Sequence, residues 1–214
     1  AIDVDQLDSA GSVGLTTATT ASVVNTTAFD LKASSVGTDL TATATTGDIT
    51  DSGVVAVGGM TQLNAIAGAI DVEQLNSAGS IGINSFGNAN LVNAVAIDLK
   101  ASSIGGNLTL TASTGNITQS DAVTVAGTSS IRAVAGSIVL ANANNDFVDE
   151  FTAGGTAVEL VDQNGLLAGE ITAVDKVILT AQGIDIGGVI DAATVALISS
   201  SGVTQGAAGV VTAN

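Results

Sequence analysis

Carboxylates are almost the only reactive side chains in this sequence. Twenty Asp and Glu residues stand against four cations, Lys32, Lys100, Lys176 and Arg132, and there is no His, Cys, Tyr or Trp. Without imidazole, thiol or phenol, general acid–base work would fall to carboxylates or lysines. The acids are densest at the amino end, in "DVDQLD", where Asp3, Asp5 and Asp8 cluster beside a glycine-containing corner. A second copy offers Asp71 and Glu73 but has Asn76 in place of the third acid. Hard oxygen ligands grouped in this way are what calcium takes. Asp3, Asp5, Asp8, Asp71 and Glu73 are therefore candidate calcium ligands, set against the plainer reading of a solvated acidic face. No other cofactor is expected. The glycine-rich calcium nonapeptide is missing, because "GGVIDAA" at Gly187 lacks its third glycine and its spacing. The carboxylate pairs Asp149/Glu150 and Asp185/Asp191 are what scattered acids produce by chance. Arg132 occupies a slot that holds Asn64 one repeat earlier, so it is expected to face solvent.

The formal net charge of −16 repels phosphate backbones and anionic lipid, so neither nucleic acid nor a membrane surface is an expected partner. No apolar run is long enough to span a bilayer as a helix. The chain opens on Ala with no leader pattern, so a mature fragment or a piece of a longer protein is expected. Without Cys there are no disulfides.

The elements that must carry these residues are written in a repeat. "AIDVDQLDSAGSVG" opens the chain and "AIDVEQLNSAGSIG" returns at Ala69. Residues 1–68 align without a gap on 69–136, with more than half of the positions identical. A finer period lies inside. Gly47-Asp48-Ile49 is followed one coil length later by Gly68-Ala69-Ile70, and Gly115-Asn116-Ile117 by Gly136-Ser137-Ile138. Each such period holds three short alternating segments separated by Gly, Ser, Asn or Asp. Val, Ile and Thr favour strands. Strands this short and this regularly broken fit a right-handed parallel β-helix, with three short strands per coil of about 19–23 residues. Ile49 should stack on Ile70, and Ile117 on Ile138, as inward ladders. Corner glycines would supply positive φ. The total absence of Pro suits strands that all donate to the next coil. After Ser137 the duplication fades, but Val158, Val177 and Val195 recur at spacings of 19 and 18. The expectation is one continuous all-β solenoid over 1–214, of roughly ten coils and about 50 Å. Three coils per repeated unit would place Asp3 and Asp71 in one stack about 14 Å apart, beyond the reach of unscreened repulsion.

"GNLTLTASTGNITQSDAVTVAG", "GDITDSGVVAVGG" and "LANANNDFVDEFTAGG" resemble the β-strand repeats of filamentous-haemagglutinin-type surface exoproteins of bacteria. The resemblance covers most of the chain. It implies a right-handed β-helical shaft, export to the cell surface, and a role in adhesion, biofilm or filament structure.

Other surface patterns read as decoration. Thr41, Thr43 and Thr45, with Thr109 and Thr111, occur in too few coils for an ice-binding ladder. The sequons at Asn25, Asn107 and Asn116 are weak, and the latter two align with Asp39 and Asp48, so the slot wants a turn-forming polar residue. Asp30/Lys32 and Asp98/Lys100 flank inward leucines and are placed to pair at the surface. The residues that match between copies build coils, and reactive groups are not concentrated anywhere. This favours a structural or adhesive shaft of a secreted, extracellular filament or surface adhesin over a calcium-dependent surface-layer module or a polysaccharide-active β-helix enzyme. Neither end reads as capped, so copies are expected to assemble end to end or laterally, or the native chain to be longer, with a host or matrix surface as a further partner.

Overall fold

The computed structural model describes residues 1–8 and 11–214. Their regular structure is entirely β, with twenty-eight strands from Ile2–Leu7 to Val210–Ala213 and no helix. Ile2, Ala21, Leu40, Thr61 and Ile81 are successive parallel partners, and each step between them is one coil. About 11 turns stack in this way, one more than the sequence suggested. At about 4.8 Å per turn the rod is about 53 Å long.

Alternation explains the core. Ala21–Asn25, Leu40–Ala44 and Thr61–Ala65 each bury their first, third and fifth residues and turn the others outward. Each inward side chain then meets its counterpart one coil away. Ile49 stacks on Ile70 and Ile117 on Ile138, and all four are buried. One ladder runs Phe29, Ile49, Ile70, Ala89, Leu108, Ser129, Phe151. Near its end Phe147 and Phe151 meet edge to face with ring centroids 5.0 Å apart. Val158, Val177 and Val195 stack as the spacing predicted.

The duplicated unit departs from the expectation of three whole coils. Ten strands lie between Ile2 and Ala65, and the eleventh begins at Ile70. At three strands per coil, the unit makes three and one-third turns, so each copy begins one face further round the prism. Asp3 stands on the face of Ser22, Thr41 and Gln62. Asp71 stands on the next face, between Thr50 and Asn90. The two acids are thus separated by rotation about the axis as well as by distance along it, and no single-stack relation holds. The rotation is absorbed where Ile70–Ser77 runs on as one eight-residue strand. There the register slips between Val72 and Leu75, and Leu75 pairs with Asn93.

Two further expectations change. Only Gly47, Gly115 and Gly202 have positive φ among the described residues. The other corner glycines answer mainly to close approach: a Cβ on Gly68 would collide with the carbonyl oxygen of Gly47 in the coil before. In the last third, strands do not stay short. Phe151–Val161 and Gly165–Ala181 continue through corners for 11 and 17 residues.

Candidate functional site

Outward slots carry whatever chemistry the rod has, and most of them are committed to the rod itself. The corner residues Asp39, Asp48, Asn107 and Asn116 each accept a backbone N–H from the following coil, from Met60, Ala69, Thr128 and Ser137, at 2.7–3.0 Å. Only an acceptor is required, which is why Asp and Asn exchange between copies at these slots. The carboxylate of Asp51 receives the backbone N–H groups of Glu73 and Gln74 at 3.0 and 2.7 Å. On the flat faces Asn84 donates to Asn64, and Asn64 to Thr43, at 2.9 and 3.1 Å, so polar side chains bond along the axis.

The calcium candidates are dispersed. Asp3, Asp5 and Asp8 are exposed, and Asp8 accepts the Thr26 hydroxyl at 2.7 Å. Asp71 and Glu73 are joined by one amide, that of Asn90, at 2.8 and 2.7 Å. Among the described residues no group of three or more acids is placed to hold a metal ion. Asp149 accepts the N–H of its own neighbour Glu150. Asp185 and Asp191 lie on different faces, in register with Thr204 and Thr212. The surface pairs expected at Asp30/Lys32 and Asp98/Lys100 do not form. Asp30 accepts Ser52 and Asp98 accepts Thr118 from the next coil, whereas Lys32 and Lys100 lie just past the ends of the strands that carry the acids. The ion pair seen among the described residues joins Lys176 to Glu159 at 3.8 Å.

Several polar residues that matter were invisible as such in the sequence, because they point inward. Asn93 is wholly buried. Its carbonyl accepts Ser77 N–H at 2.8 Å, and its NH2 reaches the carbonyls of Ser77, Val95 and Ala96 at 2.9–3.3 Å. It closes the slipped register opposite Leu75 by imitating a backbone unit. Asn25, its counterpart one repeat earlier, reaches the carbonyls of Thr27 and Ala28 in the same manner. Ser34 and Ser102 each accept an N–H from the coil behind, from Leu15 and Ile83. Asp162 is buried and receives Phe147 and Asn164 N–H at 2.7 Å. Burial raises the pKa values of both Asp51 and Asp162 above the usual carboxylate value, outweighing these backbone donors. A lone repeated Asn in an alternating segment was the only available signal for the inward amides.

A concavity lies around Gly154 on one face of the rod. Gly154 occupies the outward slot between Arg132 in the preceding coil and Thr172 in the next. The missing side chain, with Gly155 beside it, leaves a shallow groove along one coil. Arg132 and Val134 form one lip, Thr172 and Val174 the other, and Glu170 and Asp191 lie beyond. Arg132 faces solvent as expected, but it does so at the edge of this groove.

No curated protein and no solved structure matches the chain. Residues 16–90 and 86–154 each match one family model, described as repeats of unknown function (DUF5649). The two matched segments follow one another at nearly the period seen in the strands. Together they span most of the chain, which therefore belongs to the DUF5649 repeat family.

Proposed function

We propose that the chain is a structural and adhesive shaft segment of an extracellular bacterial filament or surface adhesin, acting by spacing and surface contact without catalysis. The observation that carries this reading is where the polar groups are spent. Corner acids and amides hold the next coil's backbone, and outward side chains bond along the axis. Such a chain converts residues into length at about 4.8 Å per coil. The rotation of each unit by one face also spreads the acids around the rod, which favours solubility without an acidic ladder. Self-association and contact with a host or matrix surface belong to the same reading, as does the cell-surface location. Antibody labelling of intact against permeabilised cells tests the location: labelling of intact cells is expected, and signal only after permeabilisation overturns the extracellular assignment. Incubation of the purified chain with a panel of polysaccharides tests the mode of action. No turnover is expected, and depolymerisation above background overturns the shaft in favour of an enzyme.

A further inference from the structure

We propose that Phe86 of one copy docks in the Gly154 groove of a second copy, giving a staggered lateral contact between rods. This rests on the shaft reading and names the surface through which shafts would associate. Four aromatic residues exist in the chain, and three of them, Phe29, Phe147 and Phe151, are buried. Phe86 is 74% exposed, and Ile66, one coil before it on the same corner, is 61% exposed. Leaving a whole ring and an isoleucine side by side in water forfeits the largest burial gain this composition offers. The corner around them is also uncharged: "IAGA", "FGN", "GGN" and "AGT" fill four successive coils from Ile66 to Thr128. Two chains of net charge −16 can approach along such a corner without meeting carboxylate against carboxylate.

The groove suits that ring. Its lips belong to coils two spacings apart, about 9.6 Å between backbones, which leaves room for a ring entering between the side chains. Val134 and Val174, 54% and 73% exposed, give it apolar walls. Arg132 stands at the rim with no carboxylate among the described residues in ion-pair contact, and its guanidinium can lie over a ring face. Within one rigid rod the ring and the groove cannot meet. Phe86 lies at one edge of the face that carries the groove, and Gly154 lies on that face three coils further along. That is about 14 Å along the axis. Between rods packed in parallel the contact is heterologous: each copy offers a ring to one neighbour and a groove to another, so association is open-ended.

Two variants separate the halves of the contact. Phe86→Ala removes the ring. Gly154→Trp fills the groove, and its Cβ fits because the nearest atom, Thr172 Oγ1, would be 3.6 Å away. Sedimentation velocity across a concentration series reads the outcome, with small-angle scattering to confirm that each variant keeps the rod shape. The wild type should show a mass that rises with concentration, and each variant alone should remain monomeric. An equimolar mixture should form a 1:1 complex and stop there, because Phe86→Ala keeps a groove and Gly154→Trp keeps a ring. A wild type that stays monomeric as an intact rod, a Phe86→Ala variant that associates like the wild type, or a mixture that stays monomeric would each overturn the contact while leaving the shaft reading standing. A chain that is not a rod would overturn both.

Discussion

Asn93 and Asn107 are the same residue type in neighbouring coils, and the same substitution should separate them sharply. Asn107 uses only its carbonyl oxygen, toward Thr128 N–H at 3.0 Å, and Asp39 fills its place one repeat earlier. Asn107→Asp keeps the acceptor at an exposed corner and should change stability by less than about 0.5 kcal/mol. Asn93 uses both ends of its amide with no exposure to water. In Asn93→Asp the acceptor for Ser77 N–H survives, but the carbonyls of Val95 and Ala96 lose their donor and face a carboxylate. The buried Ser77 carbonyl loses the same donor, which alone costs about 1–3 kcal/mol, before the part-buried carbonyls of Val95 and Ala96 and the buried charge are counted. Urea unfolding followed by far-ultraviolet circular dichroism measures both at once. The expected result is an unchanged midpoint for Asn107→Asp and a large fall for Asn93→Asp, partly recovered at acid pH where a protonated carboxyl can donate. Equal midpoints for the two variants would refute the division of Asn into acceptor-only corners and two-ended inward amides.

Acid should stabilise the fold. The pKa values of Asp51 and Asp162 are raised by burial, so their contribution is fully present below the unfolded value of 3.8 and lost as pH rises through the folded value. The melting temperature should therefore rise as pH falls from 7 toward 4, and Asp162→Asn should flatten the profile; a melting temperature that falls steadily over this range contradicts the assignment. Ser129 is buried and its hydroxyl has no partner among the described residues, whereas Thr61, its counterpart, bonds Ser77 at 2.8 Å. Ser129→Ala should be neutral or stabilising by about 1 kcal/mol, and Thr61→Ala destabilising, by the same unfolding assay. Gly68→Ala would drive a Cβ into the Gly47 carbonyl, whereas a Cβ on Gly183 meets nothing within 4 Å. Gly68→Ala should abolish or severely weaken folding, while Gly183→Ala should gain about 0.4–1 kcal/mol, read from denaturation midpoints.

The stacking of Ile49 on Ile70 and of Ile117 on Ile138 was legible because an inward ladder needs only period-two alternation and a coil-length spacing, and both are local. The unit's true pitch was less accessible. Spacing in residues suggests three coils, but the number of strands makes three and one-third, and that number depends on which corners turn. Ile2–Leu7 and Ile70–Ser77 both slip in register after their third residue. Nothing in "IDVDQL" or "IDVEQLNS" marks a strand that runs on through a corner. Inward Asn93 was hidden for a chemical reason, since an amide reads as a turn former unless its partners are known. The Gly154 groove lies beyond the clear duplication. No earlier copy offered a contrast at Gly154, and a missing side chain becomes a groove only when the flanking coils are in place. Asp3, Asp5 and Asp8 look clustered because they are close in sequence, yet the hydroxyl of the next coil already engages Asp8, and among the described residues no third acid is placed with Asp71 and Glu73 to hold a metal ion.

Excising residues 69–136 shows whether the number of repeats sets the length of the rod. The cut joins Gly68 to Ser137, the residue that follows Gly136 at the matching point of the repeat. Small-angle scattering on the parent and the shortened chain should give the same cross-sectional radius and a long dimension smaller by about 16 Å, three and one-third coils at about 4.8 Å each. A shortened chain that unfolds, or that keeps its length while its cross-section shrinks, would contradict a rod whose length is set by the number of repeats.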